Sequence, residues 1–92
     1  MSRSRELISL GPESLVLRER IVAIVKPDTI PIQRLIRRYD GEGQLIDLTG
    51  GGKARAAVIT DAGFIILSPL RPKTIAARFL EAGDGMEKEE EK

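Results

Sequence analysis

The 92 residues contain no cysteine, no histidine and no tryptophan, and only three aromatic side chains, Tyr39, Phe64 and Phe79. Without cysteine there is no disulfide framework and no thiolate metal site. Without histidine, the usual zinc ligands and the usual general base are both missing. No apolar run is long enough to span a bilayer, and the opening MSRSRELISL has no apolar stretch of signal-peptide length. The expectation is a single cytoplasmic domain with no cofactor and no metal. Catalytic groups are equally thin. Asp28, Asp47 and Asp61 each stand beside a turn or helix start that explains them, and Ser9, Ser14 and Ser68 have no histidine partner. No catalytic residue is expected.

Charge is plentiful and uneven. The formal net charge of +1 averages two unlike parts. Residues 1–80 hold thirteen bases and eight acids, a net of +5, whereas residues 81–92 hold two bases and six acids, a net of −4. A basic body with an acidic tail suits a nucleic-acid binder, although many proteins that bind none share it. The expected organisation is one folded domain over residues 1–83, fraying at residues 1–5, and an acidic disordered tail over 84–92.

Periodicity divides the domain into short elements. Glu6–Leu10 reads as a strand closed by Gly11-Pro12. SLVL and IVAIV, separated by Arg18-Glu19-Arg20, read as one long or broken strand. Ile21–Val25 is apolar on both faces, which predicts a central strand or one buried against another subunit. A helix follows, with Asp28 or Thr29 as cap and Pro31 in its first turn. Ile32, Leu35, Ile36 and Tyr39 form its apolar stripe, and Gly41 or Gly43 ends it. Gln33, Arg34, Arg37 and Arg38 occupy the other face, as on many solvated helices. QLIDL is a further strand, and ARAAVIT and FIILS form a hairpin around Asp61-Ala62-Gly63. Pro72 opens a second helix, with Ile75, Ala76, Phe79 and Leu80 inward and Gly83 at its end. The fold class is α+β, a small mixed sheet of about five strands with two helices in the order β-β-α-β-β-β-α.

The stretch LIDLTGGGKARAAVIT puts three glycines directly before a lysine. It is not a nucleotide-binding P-loop. Lys53 is followed by Ala54 rather than Ser or Thr, no glycine stands five before Gly52, and the next segment is strand-like. Two readings remain. One is a plain flexible hairpin turn between Asp47 and Arg55. The other is a basic hairpin, in which Gly51 and Gly52 let backbone N–H groups approach a phosphate while Lys53 and Arg55 point to one side. With no aromatic platform for single strands, duplex DNA is the nucleic acid such a surface suits.

RIVAIVKPDTIPIQRLI and LIDLTGGGKARAAVITDAGFIILSPLRPKTIAARF, in order and at matching spacing, resemble the RemA-like regulators of bacterial extracellular-matrix genes. The resemblance runs from about Leu7 to Phe79. It implies a small α+β protein that binds duplex DNA and activates biofilm-matrix genes. It also implies homo-oligomers, dimers assembling into a closed ring with DNA around the rim. Carried over by position, the DNA-contacting residues fall at Arg20 and in the loop after L-I-D-x-T. There Gly50 replaces an aromatic, Gly52 an arginine and Lys53 a second arginine, while Arg55 matches a further arginine of the family. The upstream G-F-G-N pattern stands here as Gly11-Pro12-Glu13-Ser14. The expected DNA-binding residues are therefore Arg20, Lys53, Arg55, Arg18, Gly51 and Gly52. Losing an arginine at position 52 argues for weakened DNA binding, and hence for an alternative: an oligomeric structural or interaction protein of the same fold.

Overall fold

The computed structural model describes residues 6–11 and 13–83. The termini expected to fray or to form an acidic tail, residues 1–5 and 84–92, lie outside them, as does Pro12. The elements are β1 (Leu7–Gly11), β2 (Ser14–Leu17), a 3-10 turn (Arg18–Arg20), β3 (Ile21–Val25), α1 (Ile30–Gly41), β4 (Leu45–Asp47), β5 (Ala56–Thr60), β6 (Ile65–Ser68) and α2 (Pro72–Gly83). This is a mixed α+β fold of two helices and six strands in two sheets.

The extra strand arises at Arg18–Arg20. The 3-10 turn there separates β2, which pairs antiparallel with β1, from β3, which joins a different sheet of order β3-β5-β6-β4. Ile21–Val25 is thus an edge strand rather than a central one, and Val22 is 65% exposed. Its apolar faces are only half covered by its own chain.

A second departure concerns the glycine stretch. β4 pairs in parallel with β6, while β5 pairs antiparallel with β6. β6 therefore lies between the strands on either side of the loop, so Asp47 and Arg55 do not frame a hairpin. The segment crosses over the end of β6 instead. The hairpin expected around Asp61-Ala62-Gly63 is present, with Gly63 at a φ of 86°.

Alternation along β5 and β6 sorts the core. Ala56, Val58 and Ile66 face one side, where Ile75 of α2 and Ile8 and Leu10 of β1 complete a buried cluster. Ala57 and Ile65, buried as well, face the opposite side. α1 lies along that part of the fold beside β4, its stripe only half-buried. Thr29 takes the extended N-cap conformation without a side-chain hydrogen bond, and Pro31 sits in the first turn. Gly43, at a φ of 74°, carries the chain out of the helix. α2 departs from its expected orientation. Ile75 is buried and Phe79 partly so, but Ala76 is exposed and Leu80 is 47% exposed, because they flank the uncovered face of β3.

Ser68 joins the two sheets. Its fully buried hydroxyl donates to the Leu10 carbonyl and accepts from the Leu70 N–H at 3.0 Å. Ser68→Ala removes the partner of the buried Leu10 carbonyl and of the part-buried Leu70 N–H, and is expected to cost about 1–3 kcal/mol. Chemical denaturation at fixed protein concentration measures this. An unchanged midpoint would mean that the two sheets are not held together there.

Candidate nucleic-acid interface

The expected site residues separate into two groups at opposite ends of the β3–β5 pair. Ile21 lies opposite Thr60 at one end and Val25 opposite Ala57 at the other. Four residue steps of strand place the ends about 14 Å apart.

At the first end stands the Arg18–Arg20 turn. Arg20 donates from one guanidinium nitrogen to both carboxylate oxygens of Asp61, at 3.3 and 3.4 Å, and both side chains are largely exposed. The arrangement is one nitrogen straddling two oxygens rather than a two-pronged fork. It is a loose surface pair, worth little to stability. Underneath, the Asp61 N–H donates to the Arg20 carbonyl at 3.0 Å and fixes the turn independently of the side chains. Arg18 is engaged differently. Its Nε donates to the Phe79 carbonyl at 3.0 Å, and its guanidinium lies 4.4 Å above the centre of the Phe79 ring. Arg18 thus anchors α2, while Arg20 presents its charge to solvent.

At the second end, the glycine loop forms a tight turn. The Gly52 N–H donates to the Thr49 carbonyl at 3.1 Å, and the central Gly50 and Gly51 take φ values of 65° and 94°. Positive φ at both central positions is the signature of a type I′ turn, where side chains are strained. Asp47 braces it by accepting from the Thr49 N–H at 2.8 Å and the Thr49 hydroxyl at 2.7 Å. The hydroxyl bond first and the N–H bond second hold the Asp47 carboxyl below its ordinary value. The brace is therefore fully present above the usual carboxylate range, and is lost only as pH falls through that lowered pKa. The Gly52 N–H is consumed by the turn. Gly51 makes no hydrogen bond through its N–H to any described residue, so it alone of the two expected glycines keeps a donor for a ligand.

After the turn, Lys53 and Arg55 are exposed, and the Arg55 N–H is pinned to the Ser68 carbonyl at 2.9 Å. They line a cleft with Lys26, Asp28, Arg71 and Lys73. Sequence reasoning missed Lys26, Arg71 and Lys73. They lie at the end of β3 and the start of α2, distant in sequence from the loop, and only the strand order brings them beside Lys53. The Arg34 and Arg37 face of α1 is exposed and forms no part of either group.

Among the described residues, no group of carboxylates could hold a metal ion, and no helix is long and apolar enough to cross a membrane. Fold and surface together define a small α+β protein with a cation-rich cleft at one end of a sheet ribbon and an exposed Arg20, paired with Asp61, at the other. Residues 7–79 match the family described as extracellular matrix regulatory protein A-like. The chain is 47% identical over 85 residues to a protein of Synechococcus sp. (strain JA-2-3B'a(2-13)), covering 92% of this chain and 96% of that one. It is 48% identical over 86 residues to a protein of Dictyoglomus turgidum, covering 94% and 96%. Both carry the name "Putative regulatory protein". The chain belongs to the RemA-like family, and the family and the names of these relatives support a regulatory role.

Proposed function

We propose that this protein is a cytoplasmic transcriptional regulator that binds duplex DNA mainly through backbone phosphates, acting as an assembly of identical subunits. The observation that carries the reading is the cluster of exposed cations around Lys53 and Arg55, with the exposed guanidinium of Arg20 at the opposite end. Neither end offers a free aromatic face for stacking, since Arg18 lies over the Phe79 ring and no aromatic lines the cleft, so phosphate contact supplies the affinity. The apolar strip along β3 favours assembly. Val22, Ala76 and Leu80 border a groove of about 250 Å³ on an edge strand, a surface suited to a second copy of the chain. An assembly brings the separated cationic ends of neighbouring subunits onto one DNA path and multiplies weak contacts. In line with the family resemblance, we assign the assembly as a ring of dimers with DNA on its rim, and its targets as extracellular-matrix genes.

The experiment is a titration of a labelled ~40-base-pair duplex with the full chain at low salt, following fluorescence anisotropy. Binding by a light-scattering-confirmed oligomer supports the reading; an oligomer without binding supports the scaffold alternative. Gly52→Arg sharpens the test. Gly52 lies outside the positive-φ region, and a Cβ there would meet only the Thr49 carbonyl oxygen, at 3.4 Å. The turn accepts the side chain, so the variant is expected to bind more tightly. Its log K against log salt should steepen by about 0.9 per added phosphate contact. Unchanged binding would place the loop off the DNA path.

A further inference from the structure

The cleft behind the glycine loop has a volume of about 470 Å³ and is lined by Lys26, Lys53, Arg55, Arg71 and Lys73, with Asp28 as the single acid. Three separate stretches of chain deliver these cations: the exit of β3, the approach to β5 and the start of α2. Among the described residues, none of the five is held in a salt bridge. Five like charges converging on one concavity repel each other, and one carboxylate offsets only part of that. The start of α2 adds to the imbalance. Arg71 occupies the position before the first helical residue, where its carbonyl accepts from the Ile75 N–H at 3.1 Å, but its side chain has no acceptor to cap the helix. No acid stands in the first turn. A helix N-terminus carries partial positive charge and ordinarily attracts acids, and here it receives Arg71 and Lys73 instead.

Resting on the DNA-binding reading above, we propose that this cleft is a seat for phosphates of the duplex backbone, with Lys26, Arg71 and Lys73 binding alongside Lys53 and Arg55. The cleft shifts the phosphate-binding surface away from the tip of the glycine loop, which carries no charge at Gly50, Gly51 and Gly52, and into the concavity behind it. Duplex DNA is the occupant because the cleft adjoins Lys53, offers no aromatic wall for a free base, and is open enough for a protruding backbone. Five cations reaching backbone phosphates account for affinity without base selection.

The test compares Arg71→Ala/Lys73→Ala with Arg34→Ala/Arg37→Ala, which removes the same charge from the solvated face of α1. Anisotropy with the ~40-base-pair duplex across a salt series gives the slope of log K against log salt. The cleft variant is expected to lose affinity and to flatten the slope by about 1.8 for each engaged subunit, two contacts at about 0.9 each. The α1 variant is expected to keep the wild-type slope. A cleft variant with wild-type slope, or an α1 variant flattened equally, overturns the proposal while leaving DNA binding intact. Absence of binding by the wild-type chain would instead overturn the DNA reading itself. All four positions are exposed, and circular dichroism of both variants checks that the fold is retained.

Discussion

Arg20→Ala is expected to lower duplex-DNA affinity more than tenfold while leaving the oligomer unchanged. The size follows from what the side chain does. Asp61 takes one guanidinium nitrogen through contacts of 3.3 and 3.4 Å, and the remaining donors meet no described residue. A charge-assisted hydrogen bond to phosphate is worth about 1.5–3 kcal/mol, and in an assembly the loss recurs in every subunit on the DNA. The fold has little at stake. The Asp61–Arg20 backbone hydrogen bond persists in the variant, and an exposed ion pair contributes at most about 1 kcal/mol. Anisotropy and light scattering on the same sample separate the two effects. Retained affinity would remove Arg20 from the DNA path; loss of both affinity and assembly would make it an interface residue.

Val22→Asp is expected to have the second large effect, through assembly rather than charge contact. Val22 is 65% exposed on the edge strand, beside Leu80 at 47%. A carboxylate there would have to be buried unpaired against any subunit covering the groove, at a cost of several kcal/mol. The separate chain barely notices, since the side chain already meets solvent. Light scattering should therefore report smaller particles with native circular dichroism. DNA affinity should fall by a factor of about 10²–10⁴, the range by which linked sites exceed single ones. An oligomer of wild-type mass would show that subunits meet elsewhere. Dissociation with unchanged affinity would mean that single chains bind DNA unaided.

Much of this was legible in the sequence, for local reasons. Pro31 and Pro72 mark helix starts because a first-turn proline forfeits no hydrogen bond. Gly63 marks its hairpin because the bulged turn needs a positive φ. Strand partnership was not legible, because it depends on contacts far apart in the chain. Nothing local reveals that β6 intervenes between β4 and β5, or that Arg18–Arg20 turns the chain into a second sheet. The apolar content of Ile21–Val25 fits a central strand or one covered by another subunit, and only the strand order, which puts it at an edge, removes the first of these. The same gap governs the site. Arg20, Lys53 and Arg55 could be named from the resemblance, but their separation along β3 and β5 could not. Lys26, Arg71 and Lys73 carried no signal beyond their charge until the strand order set them around one cleft.

The central claim is that affinity for duplex DNA comes from many phosphate contacts spread over several identical subunits. The most direct test is the slope of log K against log salt for the wild-type chain on a ~40-base-pair duplex, each contact contributing about −0.9. One chain offers Arg20 and the five cleft cations, six groups in all. The account predicts a slope steeper than the value of about −5 that six contacts would give. A slope near zero, or no binding at low salt by an intact oligomer, would contradict it.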